Sequence, residues 1–185
     1  VVYVYEEGDN YVIKFEEKNT FEVNDLLRCQ TWTGSDVKSY WVEVSALTDD
    51  GYGIIVPKSE FTDSVPKEGD EVVLMGNTTN KKRQNLIVIS ATDDGQPRVD
   101  VLNGVGQKNF DKALRARFGN LDGIEDPWFT DGVKGDGLWC DNVYLRGKFQ
   151  FSNHQDLETR FSITDGNIQS SVEALREDFV EEKGF

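Results

Sequence analysis

Apolar residues in this chain fall into short alternating runs separated by turn residues. The clearest lie between residues 24 and 92: Asp25–Trp32 (DLLRCQTW), 40–47 (YWVEVSAL), 52–57 (YGIIVP), 71–76 (EVVLMG) and 86–91 (LIVISA). Strands of this length at such regular spacing predict a small antiparallel barrel or sandwich. The pattern best suits a five-stranded OB-like barrel at residues 21–95. The run at 86–91 is the most continuously apolar, which predicts burial on both faces. Upstream, VVYVYEE and NYVIKFEE flank the turn cluster Gly8-Asp9-Asn10 and predict a β-hairpin within residues 1–20. An isolated hairpin is marginal in water. It needs cover from the barrel, another subunit or an upstream domain.

The first two central runs permit a pairing test. If the loop around residues 33–36 sets Trp32 opposite Trp41, then Gln30 faces Glu43 and Arg28 faces Ser45. On the other side Thr31 meets Val42, Cys29 meets Val44 and Leu27 meets Ala46. This separation of polar and apolar rows is what a half-buried sheet requires. It places Trp32 and Trp41 together on the polar face, either as a contact for a neighbouring segment or as a sugar-stacking platform. Cover by the hairpin or another subunit is the favoured reading, because large apolar surface is usually packed away.

Beyond the barrel, Thr48-Asp49-Asp50-Gly51 and Thr92-Asp93-Asp94-Gly95 repeat one turn chemistry. Residues 58–64 suggest a helical turn, and 77–83 (NTTNKKR) a polar, basic hairpin loop. A β-rich extension over 96–153 contains a strand at 97–105, a short helix or extended arm at 110–118, a Gly/Asp-rich irregular loop at 119–137 and strand character at 137–151. In residues 154–185, Ile168, Val172, Leu175 and Phe179 recur at coiled-coil spacing among charged neighbours. So narrow a stripe cannot hold a lone helix in water. It calls for identical neighbours, and a parallel bundle is the simplest supplier.

Charge narrows the function classes. The chain has 34 acidic and 20 basic residues, a formal net charge of −14. That balance argues against nucleic acid, whose affinity rests on Lys and Arg contacts to phosphate. No apolar run reaches membrane-spanning length and no signal-peptide pattern is present. Opening on Val1 and Val2 rather than Met, the sequence reads as a fragment or processed product. Two cysteines, Cys29 and Cys140, make no disulfide framework, although a bond between them is open. Asp126, Asp131 and Asp136, with Asp122 and Glu125 nearby, offer oxygen ligands, but their spacing does not match a calcium loop; turn formation is the favoured role. His154, the single histidine, has no metal-ligating or nucleophilic partner at a useful spacing. The sequence nominates no carboxylate pair for glycoside hydrolysis. No catalytic residue and no cofactor are expected.

Several stretches in order resemble tail-tip proteins of phages and prophages. They are DLLRCQTW at Asp25–Trp32, VPKEGDEVVLMGN at 65–77, RQNLIVISATDDGQPRVDVLNGV at 83–105, FGNLDGI at 118–124 and GLWCDNVYLRGKF at 137–149. RFSITDGNIQSSVEALRED at 160–178 is similar to the strand-then-coil units that begin tail fibres. The resemblance implies a structural role in the virion tail, assembled after synthesis in the bacterial host cytoplasm. It also implies trimeric organisation around the tail axis, contacts with other tail proteins and no cofactor. On that reading Ile168, Val172, Leu175 and Phe179 lie between copies, with Tyr144 and Leu145 as further interface candidates. The alternative is a carbohydrate-binding module whose Trp32 and Trp41 contact a host surface glycan.

Overall fold

The computed structural model describes residues 1–32, 34, 36–91, 96–129, 132–144 and 146. The chain divides into two units, Val1–Val143 and Tyr144–Phe185. The expected C-terminal coil, with Ile168, Val172, Leu175 and Phe179, lies outside the described residues, as do Leu145 and His154.

The described chain is mainly β. Its strands are β1 (Tyr3–Glu7), β2 (Asn10–Lys14), β3 (Asp25–Trp32), β4 (Val37–Glu43), β5 (Ala46–Leu47), β6 (Gly53–Pro57), β7 (Val72–Asn77), β8 (Asn85–Ser90), β9 (Arg98–Asn103), β10 (Leu114–Asn120) and β11 (Asp136–Cys140). Short 3-10 turns occupy Lys58–Glu60 and Lys81–Arg83. The strands form three antiparallel sheets, ordered β1-β2-β6-β5, β4-β3-β7 and β11-β10-β9-β8.

None of these sheets closes into the expected OB-like barrel, and the pairing explains why. The N-terminal hairpin, turned by Gly8 at φ 56°, lays β2 along all of β6. With β5 on its other side, β6 has no edge left for a barrel neighbour. Likewise β8 pairs along its length with β9 and joins the third sheet. The run expected as one strand at 40–47 crosses between sheets. Val44 exchanges backbone hydrogen bonds with Asn24 and Asp25, whereas the Ser45 amide donates to Ile55. The segment expected as a helix or arm at 110–118 becomes, from Leu114, a strand.

The first two sheets face each other across a core of Ile13, Leu27, Cys29, Tyr40, Val42, Val44, Ile54 and Val56. A smaller cluster of Leu102, Val105 and Ala113, with Leu86, Phe110 and Leu114 against it, lies beneath the third sheet. Trp41 links the two regions, its ring meeting Phe110 edge-on at 5.5 Å.

Polar side chains fix how these layers join. Asp25 is fully buried. Its carboxylate accepts from Arg83 Nε at 2.8 Å and Nη2 at 2.6 Å, from Asn77 Nδ2 at 2.9 Å and from the Glu22 amide at 2.7 Å. Arg83 Nη2 also donates to the Thr20 carbonyl, and Asn77 Oδ1 caps the Thr79 and Asn80 amides. The linker before β3, the end of β7 and the turn before β8 therefore meet at one carboxylate. Burial pushes its pKa up, but hydrogen bonds from Arg83, Asn77 and Glu22 outweigh this and hold it below the ordinary value. A second buried carboxylate, Asp70, accepts from Lys38 Nζ, the Tyr40 hydroxyl and the Lys67 amide, tying the start of β7 to β4. Burial, with Cys29 and Asp70 alongside, raises the Tyr40 phenol well above its usual range, keeping it a neutral donor.

Removing one partner from a buried ion pair typically costs 3–5 kcal/mol, because the other charge stays buried. Arg83→Met is therefore expected to lower unfolding stability by about 3 kcal/mol in urea titrations at neutral pH. The Asp25 contribution is complete above the unfolded-chain value of about 3.9 and lost as pH falls through the lower folded value. The same titrations continued below pH 4 should show a flatter acid limb in Arg83→Met than in the parent. Equal acid limbs would place the acid sensitivity elsewhere.

Candidate functional site on the third sheet

Side chains alternate between the two faces of a sheet, and strand register assigns each position of the third sheet to a face. One row runs Ile87, Val101, Ala116, Cys140 across β8, β9, β10 and β11; the next runs Ile89, Val99, Phe118, Leu138. Every residue in these two rows is uncharged and apolar. Ile89 is 80% exposed, Phe118 66%, Ile87 65% and Leu138 60%. Asn85 and Asn103 border the rows at one end, Asn120 and Asp136 at the other.

The opposite face holds the charge. Its central row is Val88, Asp100, Arg117, Trp139. Asp100, 4% exposed, is gripped in bidentate fashion by Arg117 (Nε to Oδ1 2.6 Å, Nη2 to Oδ2 2.8 Å), and Arg98 Nε donates to Oδ2 at 3.3 Å. The β10–β11 connection adds Leu121, whose side chain approaches Gly137 closely enough that a Cβ there would meet its Cδ1 at 3.1 Å. It is pinned where Asp126 accepts from the Trp139 indole at 2.8 Å and from the Trp128 amide at 2.9 Å. The sheet thus turns an ion-pair network toward the fold and an apolar surface outward.

An exposed isoleucine alone would mean little, since much of any protein surface is apolar. A contiguous apolar patch is different. The five most exposed members (Ile87, Ile89, Val101, Phe118, Leu138) present on the order of 600 Å², the upper end of what monomers usually leave uncovered. At about 25 cal/mol per Å², covering it gives about 15 kcal/mol of hydrophobic driving force before association costs. Burial on both faces, expected for the run at 86–91, is met on one side only within this chain: Leu86 and Val88 are partly covered, Ile87 and Ile89 are bare. Phe118 and Leu138 were not singled out by the sequence, because the partners that place them on this face come from β9–β11 pairing.

The structure separates the two tryptophans expected to pair. Trp32 opposes Val37 and Trp41 opposes Arg28, because the short connection at 33–36 closes the hairpin directly after Trp32. The offset from the expected register is four residues. An even shift preserves the face of every side chain, so Leu27, Cys29 and Val42 still point into the core. Along β3, however, Trp32 lies four residues from the partner of Trp41, roughly 13 Å. Trp32 is 75% exposed, whereas the Trp41 ring is covered by Phe110 and by the Arg28 guanidinium 5.8 Å from its centroid. They form no common platform.

The remaining candidates have described positions or lie outside them. Tyr144 is 93% exposed. Cys29 and Cys140 are both free thiols, which removes the open disulfide. Asp122 accepts from the Gly135 amide, and Asp126 is engaged as above, so both brace their own loop; Asp131 is outside the described residues. Among the described residues no cluster of three or more His, Cys, Asp or Glu is arranged to hold a metal. A shallow open depression beside Val1, Phe15, Lys18, Phe21 and Asp70 gathers no catalytic constellation.

Trp41→Ala is expected to lower stability by about 2 kcal/mol through loss of the Phe110 contact, whereas Trp32→Ala stays within about 0.5 kcal/mol. Urea unfolding of the two variants checks this, and equal losses would contradict the pairing of Trp32 with Val37 and Trp41 with Arg28. Comparisons with protein-family models, curated proteins and solved structures found no match to this chain.

Proposed function

We propose that this chain is a structural assembly module of a phage or prophage tail tip, acting by burying apolar surface against neighbouring chains rather than by catalysis. The observation that carries the reading is the inverted third sheet, whose ion pairs face the fold while two apolar rows face solvent. Enzyme sites concentrate convergent polar groups in a concave pocket. Here the distinctive surface is a sheet face without a single charge in its two central rows, which is the composition of an interface centre. The order of motifs resembling tail-tip proteins supplies the biological setting. The stripe of Ile168, Val172, Leu175 and Phe179 supplies the proposed trimeric contact around the tail axis.

The test is incorporation into particles. Antibody raised against this chain should label the tail tip of virions released by the strain that encodes it, as seen by immunogold electron microscopy. Ile89→Asp combined with Phe118→Asp should leave secondary structure unchanged by circular dichroism but abolish labelling of particles. Wild-type chain absent from purified particles would overturn the tail-tip reading. Full labelling by the double variant would remove the sheet face from it.

A further inference from the structure

We infer that the occupant of the outer face of the third sheet is a second copy of this chain, packed sheet to sheet about a two-fold axis that runs across the strands. The inference rests on the assembly reading above and names the partner at the same site. Three observations point to a second copy.

Charge is the first. Copies carrying −14 each repel wherever acidic surfaces meet. The two apolar rows are uncharged, so they offer a place where identical chains can touch without opposing like charges. Area is the second. The exposed face, about 600 Å², with its polar borders approaches the ~800 Å² per partner of a stable protein interface.

The third is the sizes of the side chains. On β10 and β11 one row is bulky (Phe118, Leu138) and the other small (Ala116, Cys140), whereas β8 and β9 carry Ile89 and Val99 in the first row and Ile87 and Val101 in the second. A two-fold interface sets one patch against itself. With the axis across the strands, each strand lies over its own counterpart while the rows exchange. Phe118 then sits over Ala116 of the second copy, and Leu138 over Cys140. An axis along the strands instead keeps each row over itself, with Val101 over Ala116, Ile87 over Cys140, Leu138 over Ile89 and Phe118 over Val99, so the phenyl ring meets a β-branched side chain rather than the small Ala116. Packed sheets interdigitate about 10 Å apart, so the seat of Phe118 over Ala116 and of Leu138 over Cys140 favours the axis across the strands.

The experiment is light scattering behind size exclusion on the 185-residue chain carrying Val172→Asp and Leu175→Asp, so that the coil-type stripe contributes no association. The expected mass is two copies. Ala116→Phe sets ring against ring and should reduce it to one copy at the same concentration. Adding Phe118→Ala to Ala116→Phe exchanges the large and small positions and should restore two copies. Circular dichroism and urea midpoints verify that each variant folds. If Ala116→Phe does not fold, Ile89→Asp replaces it as the variant expected to give one copy. A single copy at every concentration, three copies, or a pair indifferent to these face substitutions would overturn the inference. A monomer whose wild-type parent still labels virion tail tips would remove the second copy while leaving the tail-tip reading in place.

Discussion

The arrangement of the sheets depends on one buried ion pair. Asp25 and Arg83 are far apart in sequence, yet the guanidinium closes on the carboxylate with two hydrogen bonds. A carboxylate without solvent access is tolerated only when paired and hydrogen-bonded. Asp25 therefore demands Arg83, Asn77 and the Glu22 amide together, and each belongs to a different piece of chain. Meeting that demand fixes the linker between β2 and β3, the end of β7 and the turn that launches β8. The orientation of the third sheet follows from where β8 starts. Close approach reinforces the joint, since a Cβ on Gly76, next to Asn77, would collide with the Val105 carbonyl.

The third sheet inherits an unusual polarity from this placement. Asp100, Arg98 and Arg117 form the inner network because their strands alternate with the apolar positions, not because charge favours burial. Such networks seldom add net stability over a well-packed apolar alternative. Their retention makes more sense if the outer positions are constrained to be apolar, since alternation then assigns polar residues to the inner face. On the proposed assembly reading the functional demand lies outside and the inner face accommodates it. That direction of causation also explains why the β10–β11 loop closes over the inner face with Leu121 and Ile124, both nearly buried, and the Asp126–Trp139 hydrogen bond.

Much of this was legible in the sequence, and the parts that were not share a cause. The strand at Asp25–Trp32, the Gly8 hairpin turn and the face assignment of Leu27, Cys29 and Val42 all follow from local alternation and turn chemistry. The register of Trp32 and Trp41 did not, because a shift of four residues leaves every side chain on its face and only loop length distinguishes the alternatives. The barrel expectation failed at the level of edges. Nothing in β6 announces that β2 will pair with it, or in β8 that β9 will. Arg83 read as part of a basic surface loop, and only its distant contact with Asp25 reveals it as a structural cation. The outer face left a partial signal in the continuous run at 86–91, whose demand for two-sided burial exceeds what one chain supplies.

Acidity and the apolar face belong to one design. An exposed sheet with this much aliphatic and aromatic surface is ordinarily an aggregation hazard. Here high net charge opposes indiscriminate association, while Asn85 and Asn103 at one end of the rows and Asn120 and Asp136 at the other limit the patch to a bounded area. Association is then favourable only in geometries that bury the uncharged rows and keep acidic surfaces apart. Sliding one sheet over another exposes isoleucine or phenylalanine to water and brings apolar rows against Asp136 or the amides. The penalty rises on both counts as the displacement grows. The same charge that weakens binding in general thus sharpens the choice among binding modes, which is what the proposed assembly role asks of such a face.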